Sequence, residues 1–373
     1  MTSEDFFNSI QQQLDNKKPF VAYRKPKSTC INAMLQNTDA VHVIKDYTEK
    51  GFVFAPFDAS NDAILIPIKD SLSIDCDLVN YNVSETRQSI FKNLEFDKPQ
   101  HINLVQKGID AIKKNQFQKV VLSRCETVEF SETNPIEIFK SLLQNYQSAF
   151  VYCWYHPKIG LWLGATPETL IEVEGSRFKT MALAGTQKYN GTLDIIWENK
   201  EKEEQQFVTD FIVNSLQNSV SNIFKSETET VRAGNIVHLK TVISGIVNFK
   251  EINLKEVLEA LHPTPAVCGL PKEKAKQFIL KHESYNREYY TGFLGELNLQ
   301  EKTIRNSNRR NVENNAYASV KKKSNLFVNL RCMQISDNTA SIYIGGGITK
   351  DSIPEAEWQE TIAKSEVMKK VLQ

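Results

Sequence analysis

The chain has 373 residues, of which 41% are hydrophobic and 24% charged, the composition of a globular protein with a substantial core. Its 45 basic and 45 acidic residues give a formal net charge of zero, which argues against binding to bulk nucleic acid or to an anionic membrane. The acidic start lacks a signal-peptide pattern, no apolar run is long enough to span a bilayer, and six scattered cysteines are typical of reduced thiols, so we expect a cytoplasmic protein.

The first hundred residues predict one helix followed by strands. Thr2 and Asp5 form a capping-box pattern, and apolar residues at helical spacing predict a helix over 2–15. From about 18 to 95, short apolar runs separated by polar turns predict strands, and this region carries no chemical motif.

From residue 98 onward, helical and strand patterns alternate. The predicted elements are a helix through Ile112, strands at 119–124, 149–155 and 160–165, a hairpin joining 168–174 to 177–184, a helix over 197–223, a strand over 235–247, a helix over 272–280, strands over 290–297, 326–335 and 339–345, and a helix over 354–371. This succession predicts an α+β fold, with two mostly antiparallel sheets packed together and helices outside.

One stretch, residues 301–323, is unusually rich in Lys, Arg and Asn. We interpret it as a solvated surface loop, because polar tracts without core residues stay at the surface. A nucleic-acid site is the weaker interpretation, since the stretch has almost no aromatic residues on which bases would stack.

Two predicted helices each present a pair of carboxylates, Glu201 with Glu204 and Glu357 with Glu360. Residues three apart lie on the same helix face. Four converging carboxylates would repel one another unless a cation lay between them, and oxygen ligands suit Mg²⁺. Taken alone, each pair is more simply explained as a solvated helix surface, because Glu is a strong helix former.

Lys119 and Glu168 are candidates for acid–base chemistry. Lys119 opens an apolar strand, where loss of hydration would favour its neutral amine and make it a general base. Glu168 follows a small-residue turn and Pro167, where a carboxyl facing a cleft would serve as a general acid. The plainer alternatives are a solvated lysine at a strand end and a carboxylate in a turn.

Three further features suggest an anion pocket. The glycines at 345–347 would let backbone N–H groups approach an anion, although the spacing is not that of a P-loop. Arg331 is predicted to lie mid-strand among apolar neighbours, where it would need a carboxylate or phosphate partner. His238 is, on its own, more simply a core histidine.

The order of these features resembles the chorismate-utilising enzymes, a family that includes isochorismate, salicylate, anthranilate and aminodeoxychorismate synthases. The resemblance covers roughly 98–373, whereas residues 1–97 match only weakly and are expected to be an N-terminal part of the same fold. It rests on five separated motifs, FQKVVLSR (117–124), GATPETL (164–170), LAGT (183–186), HPTPAVCG (262–269) and EWQET (357–361).

The resemblance implies a single large domain with a magnesium site and a chorismate site. Glu204 and Glu360 would bind Mg²⁺, supported by Glu201 and Glu357. Lys119 would activate a water that attacks C2 of the ring, and Glu168 would protonate the hydroxyl that leaves C4. The substrate-binding residues that the resemblance implies are Gly185, Thr186, His238, Ala266, Tyr290, Leu330, Arg331, Gly345 and Lys364.

Within the family, three positions favour the branch that forms isochorismate, an isomerase. Lys119 stands where the amine-transferring anthranilate branch carries Gln, Ala184 stands where aminodeoxychorismate synthases carry a nucleophilic lysine, and Ala266 stands where salicylate synthases tend to have Thr. The alternatives are a salicylate synthase, which adds pyruvate elimination, and a catalytically silent chorismate-binding protein.

Two departures from the family pattern are Gln205, where His is usual, and Gln187, where Arg is frequent. Either would tune metal affinity or rate. The resemblance further implies a monomer, whereas the pathway, menaquinone or siderophore biosynthesis, is not determined by the sequence.

Overall fold

Two large antiparallel sheets frame the protein in the computed structural model. The structure describes residues 1–78, 89–91, 98–130, 134–217, 219–233, 236–249, 251–303 and 319–372. Every strand pairing within these ranges is antiparallel. The predicted α+β class with two antiparallel sheets is confirmed.

The first sheet combines six strands from the part of the chain after residue 97 with four strands from residues 1–97. Its order is β16 (Gly269–Leu270), β8 (Lys119–Phe130), β20 (Thr339–Ile348), β19 (Cys332–Ser336), β10 (Gly160–Thr166), β9 (Phe150–His156), β1 (Phe20–Arg24), β2 (Cys30–Gln36) and β6 (Ser71–Asp77), with β7 (Ser89–Phe91) paired to β8.

The second sheet also combines strands from both parts of the chain, and its N-terminal strands lie at one edge. Its order is β13 (Val220–Lys225), β15 (Ile236–Val247), β12 (Arg177–Lys188), β11 (Thr169–Glu174), β18 (Ser319–Val328), β17 (Phe293–Thr303), β4 (Gly51–Ala55), β5 (Ile64–Pro67) and β3 (His42–Val43), with β14 (Glu229–Ala233) paired to β15.

Seven α-helices lie within the described ranges. They are α1 (Ser3–Asp15), α2 (Lys98–Lys113), α3 (Pro135–Asn145), α4 (Asn199–Leu216), α5 (Leu254–Leu261), α6 (Lys272–His282) and α7 (Pro354–Lys369). As predicted, Thr2 caps α1 by accepting a hydrogen bond from the backbone N–H of Asp5 at 3.1 Å. None of these helices is long and apolar enough to cross a membrane.

The two sheets pack face to face through an aromatic core. Trp154 and Trp162 of the first sheet and Phe54 of the second are fully buried there, and the ring centroids of Phe54 and Trp154 lie 4.7 Å apart. Helices such as α3 cover the outer face of the first sheet. Strands β1 and β4 are therefore buried along their whole length instead of alternating, because both faces of each strand are covered.

Three predicted elements differ from the structure. The helix predicted over 197–223 ends at Leu216, and the residues after it form β13, since a short apolar run fits either element. The strand predicted over 326–335 is two strands, β18 and β19, and Arg331 lies in the break between them with φ 46° instead of mid-strand.

The predicted surface loop at 301–323 is wrong at both ends. Residues 301–303 continue β17 and residues 319–323 begin β18, while 304–318 lie outside the described residues. The polar composition has a structural reason at Lys321, which forms a solvent-exposed ion pair with Glu174 of β11 (2.7 Å). A strand with a solvated face carries charged residues and lacks the apolar run that marks a buried strand.

Candidate functional site

A cavity of about 160 Å³ collects most of the predicted site residues from distant parts of the chain. It lies where α4 and α7 meet strands of both sheets. Lys119 and Glu357 are not among the residues that line it. The predicted residues that do line it are Glu168, Gly185, Thr186, Glu201, Glu204, His238, Ala266, Tyr290, Leu330, Arg331, Gly345, Glu360 and Lys364.

Lys119 lies beneath the cavity surface. Its side chain is completely buried, and its Nζ donates to Oε1 of Glu204 at 2.7 Å. Burial raises the pKa of Glu204, but the charge and hydrogen bond of Lys119 outweigh it, so the pKa lies below the ordinary value. The first residue of β8 and the second turn of α4 are thus joined by an ion pair.

Two more carboxylate–lysine pairs lie close by. Lys364 Nζ contacts Oε1 of Glu360 at 2.7 Å and also donates to the carbonyl of Gly345 at 3.0 Å. Lys200 Nζ contacts Oε1 of Glu357 at 3.3 Å. We call Lys119, Lys200, Lys364 and the four glutamates Glu201, Glu204, Glu357 and Glu360 the carboxylate cluster.

Two oxygens of the carboxylate cluster have no hydrogen-bond partner among the residues that the structure describes. Oε2 of Glu201 and Oε2 of Glu357 are both buried and unpaired. Desolvation, followed by the charge of Glu360, raises the pKa of Glu357. Buried carboxylate oxygens without partners are costly, and a divalent cation is one way to satisfy them.

The glycine segment of β20 leaves room for these carboxylates. A Cβ on Gly347 would lie 2.7 Å from Oε1 of Glu204, and a Cβ on Gly346 would lie 3.4 Å from Oε2 of Glu357 and 3.8 Å from Oε1 of Glu360. Gly185 has φ +70° and would place a Cβ 3.1 Å from that of Glu201. The glycines therefore permit close approach of the acidic side chains.

The oxygen-only donor set fits Mg²⁺. Within the described residues, no three His, Cys, Asp or Glu side chains are grouped closely enough to hold an ion by themselves. Mg²⁺ does not require such a group, because it is usually held by one or two carboxylates together with water and substrate oxygens. The unpaired oxygens of Glu201 and Glu357 and the open backbone at Gly346 fit that mode of binding.

Glu168 is held in place by the turn that follows β10. Its backbone N–H donates to Oγ1 of Thr166 at 3.3 Å, and its carbonyl accepts from the N–H of Val328 at 3.0 Å. The residue is 4% exposed. Desolvation raises the pKa of its carboxyl to about 7, against the opposing charges of Arg331 and Lys119. A carboxyl with this pKa is largely protonated just below neutral pH and can donate a proton.

Arg331 and His238 form the other part of the cavity wall. The hydrogen-bond network assigns the tautomer of His238, whose Nδ1–H donates to the carbonyl of Gly185 at 2.9 Å while Nε2 accepts from Nη2 of Arg331 at 3.2 Å. Desolvation, then the charge of Arg331, lowers the pKa of His238 to about 3, so the ring is neutral. We call Glu168, His238 and Arg331 the acid cluster.

The guanidinium of Arg331 has no carboxylate within ion-pair distance among the described residues. Desolvation lowers its pKa to about 10, which still leaves it charged at neutral pH. A cation that faces a cavity without an acidic partner is suited to bind a ligand carboxylate.

Lys200 is the charged cavity residue that the sequence analysis missed. It lies one helical turn before Glu204 on α4, so the spacing that revealed the glutamate pair also places Lys200 on that face.

The two departures from the family pattern, Gln205 and Gln187, both donate hydrogen bonds. Gln205 donates to the carbonyl of Ala182 and to Oγ1 of Thr241, both at 3.1 Å, and Gln187 donates to the carbonyl of Ile196. The hydrogen bonds from both glutamines therefore hold neighbouring segments of the chain in place.

Comparison with known protein families gives a consistent result. A family profile described as chorismate binding enzyme matches residues 59–305, and a second profile of the same description matches residues 316–370.

Curated relatives are similar over about three quarters of this chain. Isochorismate synthase MenF of Escherichia coli (strain K12) is 28% identical over 74% of this chain and 61% of its own length, and MenF of Bacillus subtilis (strain 168) is 28% identical over 74% and 55%. Anthranilate synthase component 1 of Aquifex aeolicus (strain VF5) is 26% identical over 78% and 57%. The chain thus spans about 60% of the length of the curated relatives it matches.

Solved structures share the fold along almost the whole chain. The 2,3-dihydroxybenzoate-specific isochorismate synthase DhbC from Bacillus anthracis superposes with a TM-score of 0.76 and 21% identity, covering 97% of this chain and 99% of that one. MenF from Escherichia coli gives a TM-score of 0.75 and 22% identity, covering 95% and 89%.

Proposed function

Since the chain belongs to the chorismate binding enzyme family, we propose that it converts chorismate to isochorismate in a Mg²⁺-dependent reaction. One observation carries the proposal. The cavity combines a carboxyl with a raised pKa at Glu168, a guanidinium without an acidic partner among the described residues at Arg331, and the carboxylates of Glu201, Glu204 and Glu360, of which Glu201 has an unpaired oxygen. An acid, a carboxylate-binding cation and a Mg²⁺ site are what transfer of a hydroxyl group on a dicarboxylate requires.

The acid cluster would bind and protonate the substrate. Arg331, together with Tyr290 and the backbone at Gly345, would hold the enolpyruvyl carboxylate, and neutral His238 would orient the guanidinium by accepting its hydrogen bond. Glu168 would protonate the hydroxyl group that leaves C4. Gly185, Thr186, Ala266, Leu330 and Lys364 would complete the walls.

The carboxylate cluster would bind the metal and prepare the nucleophile. Glu204 and Glu360, supported by Glu201 and Glu357, would hold Mg²⁺, which supplies positive charge for the ring carboxylate of chorismate. Lys119 would take a proton from the water that attacks C2. Because its ammonium is bonded to Glu204, this role requires the neutral amine to exchange that contact for a water.

Ala184 and Ala266, two of the three positions that separate the family branches in the sequence analysis, line the cavity. Neither supplies an amine nucleophile or the Thr that salicylate synthases tend to carry.

The cytoplasmic location, the monomeric state and the division of the chain at residue 97 remain predictions. The six cysteines are free thiols in the structure.

The test is to incubate the purified protein with chorismate, with and without Mg²⁺, and to separate the products by chromatography. We expect isochorismate, formed only when Mg²⁺ is present. Salicylate and pyruvate would replace the proposal with the two-step salicylate reaction. Unconsumed chorismate under all conditions would refute the enzymatic function.

A further inference from the structure

A buried ion pair behind the cavity holds three of its walls. Arg287, 3% exposed, lies in the segment after α6 and pairs with Glu283, whose Oε1 accepts from Nη2 at 2.6 Å and whose Oε2 accepts from Nε at 2.7 Å. This bidentate geometry fixes the plane of the guanidinium and leaves its remaining N–H groups directed elsewhere.

Those remaining donors reach three separate segments of the cavity. Nη2 of Arg287 donates to the carbonyl of Val121 at 2.7 Å, and Nη1 donates to the carbonyl of Val267 at 3.0 Å and to Oγ1 of Thr291 at 3.2 Å. Val121, Val267 and Thr291 all line the cavity. They come from β8, from the turn after α5 and from the segment that carries Tyr290, so one side chain connects three walls.

Glu283 holds the strand of the proposed base at a second point. Its Oε1 accepts from the backbone N–H and from the hydroxyl of Ser123, both at 2.8 Å. Val121 and Ser123 lie two and four residues after Lys119 on β8, with their side chains on the same face of the strand. The ion pair therefore fixes the backbone from which Lys119 extends.

We propose that Arg287, with Glu283, is a positioning residue that sets the place of Lys119 relative to the bound substrate. This inference rests on the proposed function. Arg287 touches neither Glu168 nor Arg331 in the described structure, so its loss would disturb the base side of the reaction while leaving the acid cluster in place. A displacement of about 1 Å at a reacting group costs up to roughly a hundredfold in rate.

The test compares Arg287→Lys with Arg24→Lys, a matched control at a buried arginine that does not line the cavity. Arg24 is 2% exposed and donates to two backbone carbonyls, those of Leu143 and Tyr146, at 2.7 and 2.6 Å. Both substitutions keep the positive charge but replace the planar guanidinium, which donates to several acceptors at once, by an ammonium group. Each should therefore lower the melting temperature. We expect Arg287→Lys to reduce kcat about ten- to hundredfold and to raise KM by a smaller factor, since its bond to Thr291 also supports the segment of Tyr290, and we expect Arg24→Lys to leave both constants unchanged.

Ser123→Ala supplies a second variant of milder effect, because it removes one hydrogen bond to Glu283 and keeps the ion pair. We expect its kcat to lie between those of the wild type and Arg287→Lys. The inference is overturned if Arg287→Lys keeps the wild-type kcat, or if Arg24→Lys lowers kcat equally. A wild-type protein that does not convert chorismate would instead refute the proposed function, which separates the two failures.

Discussion

The two clusters that face the cavity reach charge balance in different ways. In the carboxylate cluster, Glu204, Glu357 and Glu360 each contact a lysine at 3.3 Å or less, so three of the four acids are paired with a cation of the protein itself. In the acid cluster, Arg331 has no carboxylate partner among the described residues, and Glu168 remains protonated to about pH 7. The acid cluster is thus complementary to an anionic ligand as it stands, whereas the carboxylate cluster must exchange lysine contacts for a metal.

This difference predicts that the acid cluster acts directly on the reacting bond. In Glu168→Gln the side chain keeps its size and loses its transferable proton, so we expect kcat to fall by about 10²–10⁴-fold. Steady-state assays with chorismate measure it, and Glu174→Gln, at the exposed end of β11, serves as the control. A Glu168→Gln protein with more than a tenth of the wild-type kcat would show that another group is the acid.

Arg331 should govern substrate affinity more than the chemical step. Arg331→Gln removes a charge-assisted hydrogen bond to a carboxylate, worth roughly 1.5–3 kcal/mol, so we expect KM for chorismate to rise about 10–100-fold. Arg177→Gln, at the exposed start of β12, is the control. If kcat fell by more than KM rose, Arg331 would belong with the chemistry and the proposed division of labour would fail.

The carboxylate cluster should respond through the metal. Glu204→Gln keeps an oxygen that can accept from Lys119 but removes the negative charge. We therefore expect the Mg²⁺ concentration for half-maximal rate to rise roughly tenfold, with partial recovery at high Mg²⁺. The neighbouring Glu203→Gln, on the exposed side of α4, is the control. An unchanged Mg²⁺ dependence would remove Glu204 from the metal site.

How far the sequence predicts these clusters depends on the kind of interaction. The glutamate pairs were predictable because helical spacing is local, and Lys119 and Glu168 because they lie in motifs of recognisable order. The ion pair between Lys119 and Glu204 was not, since it joins residues 85 positions apart on two different elements. The same applies to Arg287, whose contacts with Val121 and Val267 depend on the tertiary fold.

The errors have equally physical causes. Helix α5 is only eight residues long and its pattern is too short to distinguish from a loop. The apolar neighbours of Arg331 predict a mid-strand position, but a positive φ at a non-glycine residue leaves no signature in composition. None of the described residues within 1–97 lines the cavity, because their strands lie at the edges of both sheets.

Near neutral pH the smallest effect expected is the pH dependence of the rate, which separates the acid cluster from its neighbours. Glu168 must be protonated to act as an acid, and its pKa is raised to about 7 by burial, so the ratio of the wild-type kcat/KM to that of Glu168→Gln should fall about tenfold per pH unit above 7. His238 does not contribute, because a pKa of about 3 leaves it neutral throughout, and Arg331 loses its proton only near pH 10. Rates measured between pH 6 and 9, with circular dichroism to verify folding, test this expectation. A wild-type profile parallel to that of Glu168→Gln across that range would mean that the proton delivered to the leaving hydroxyl does not come from Glu168.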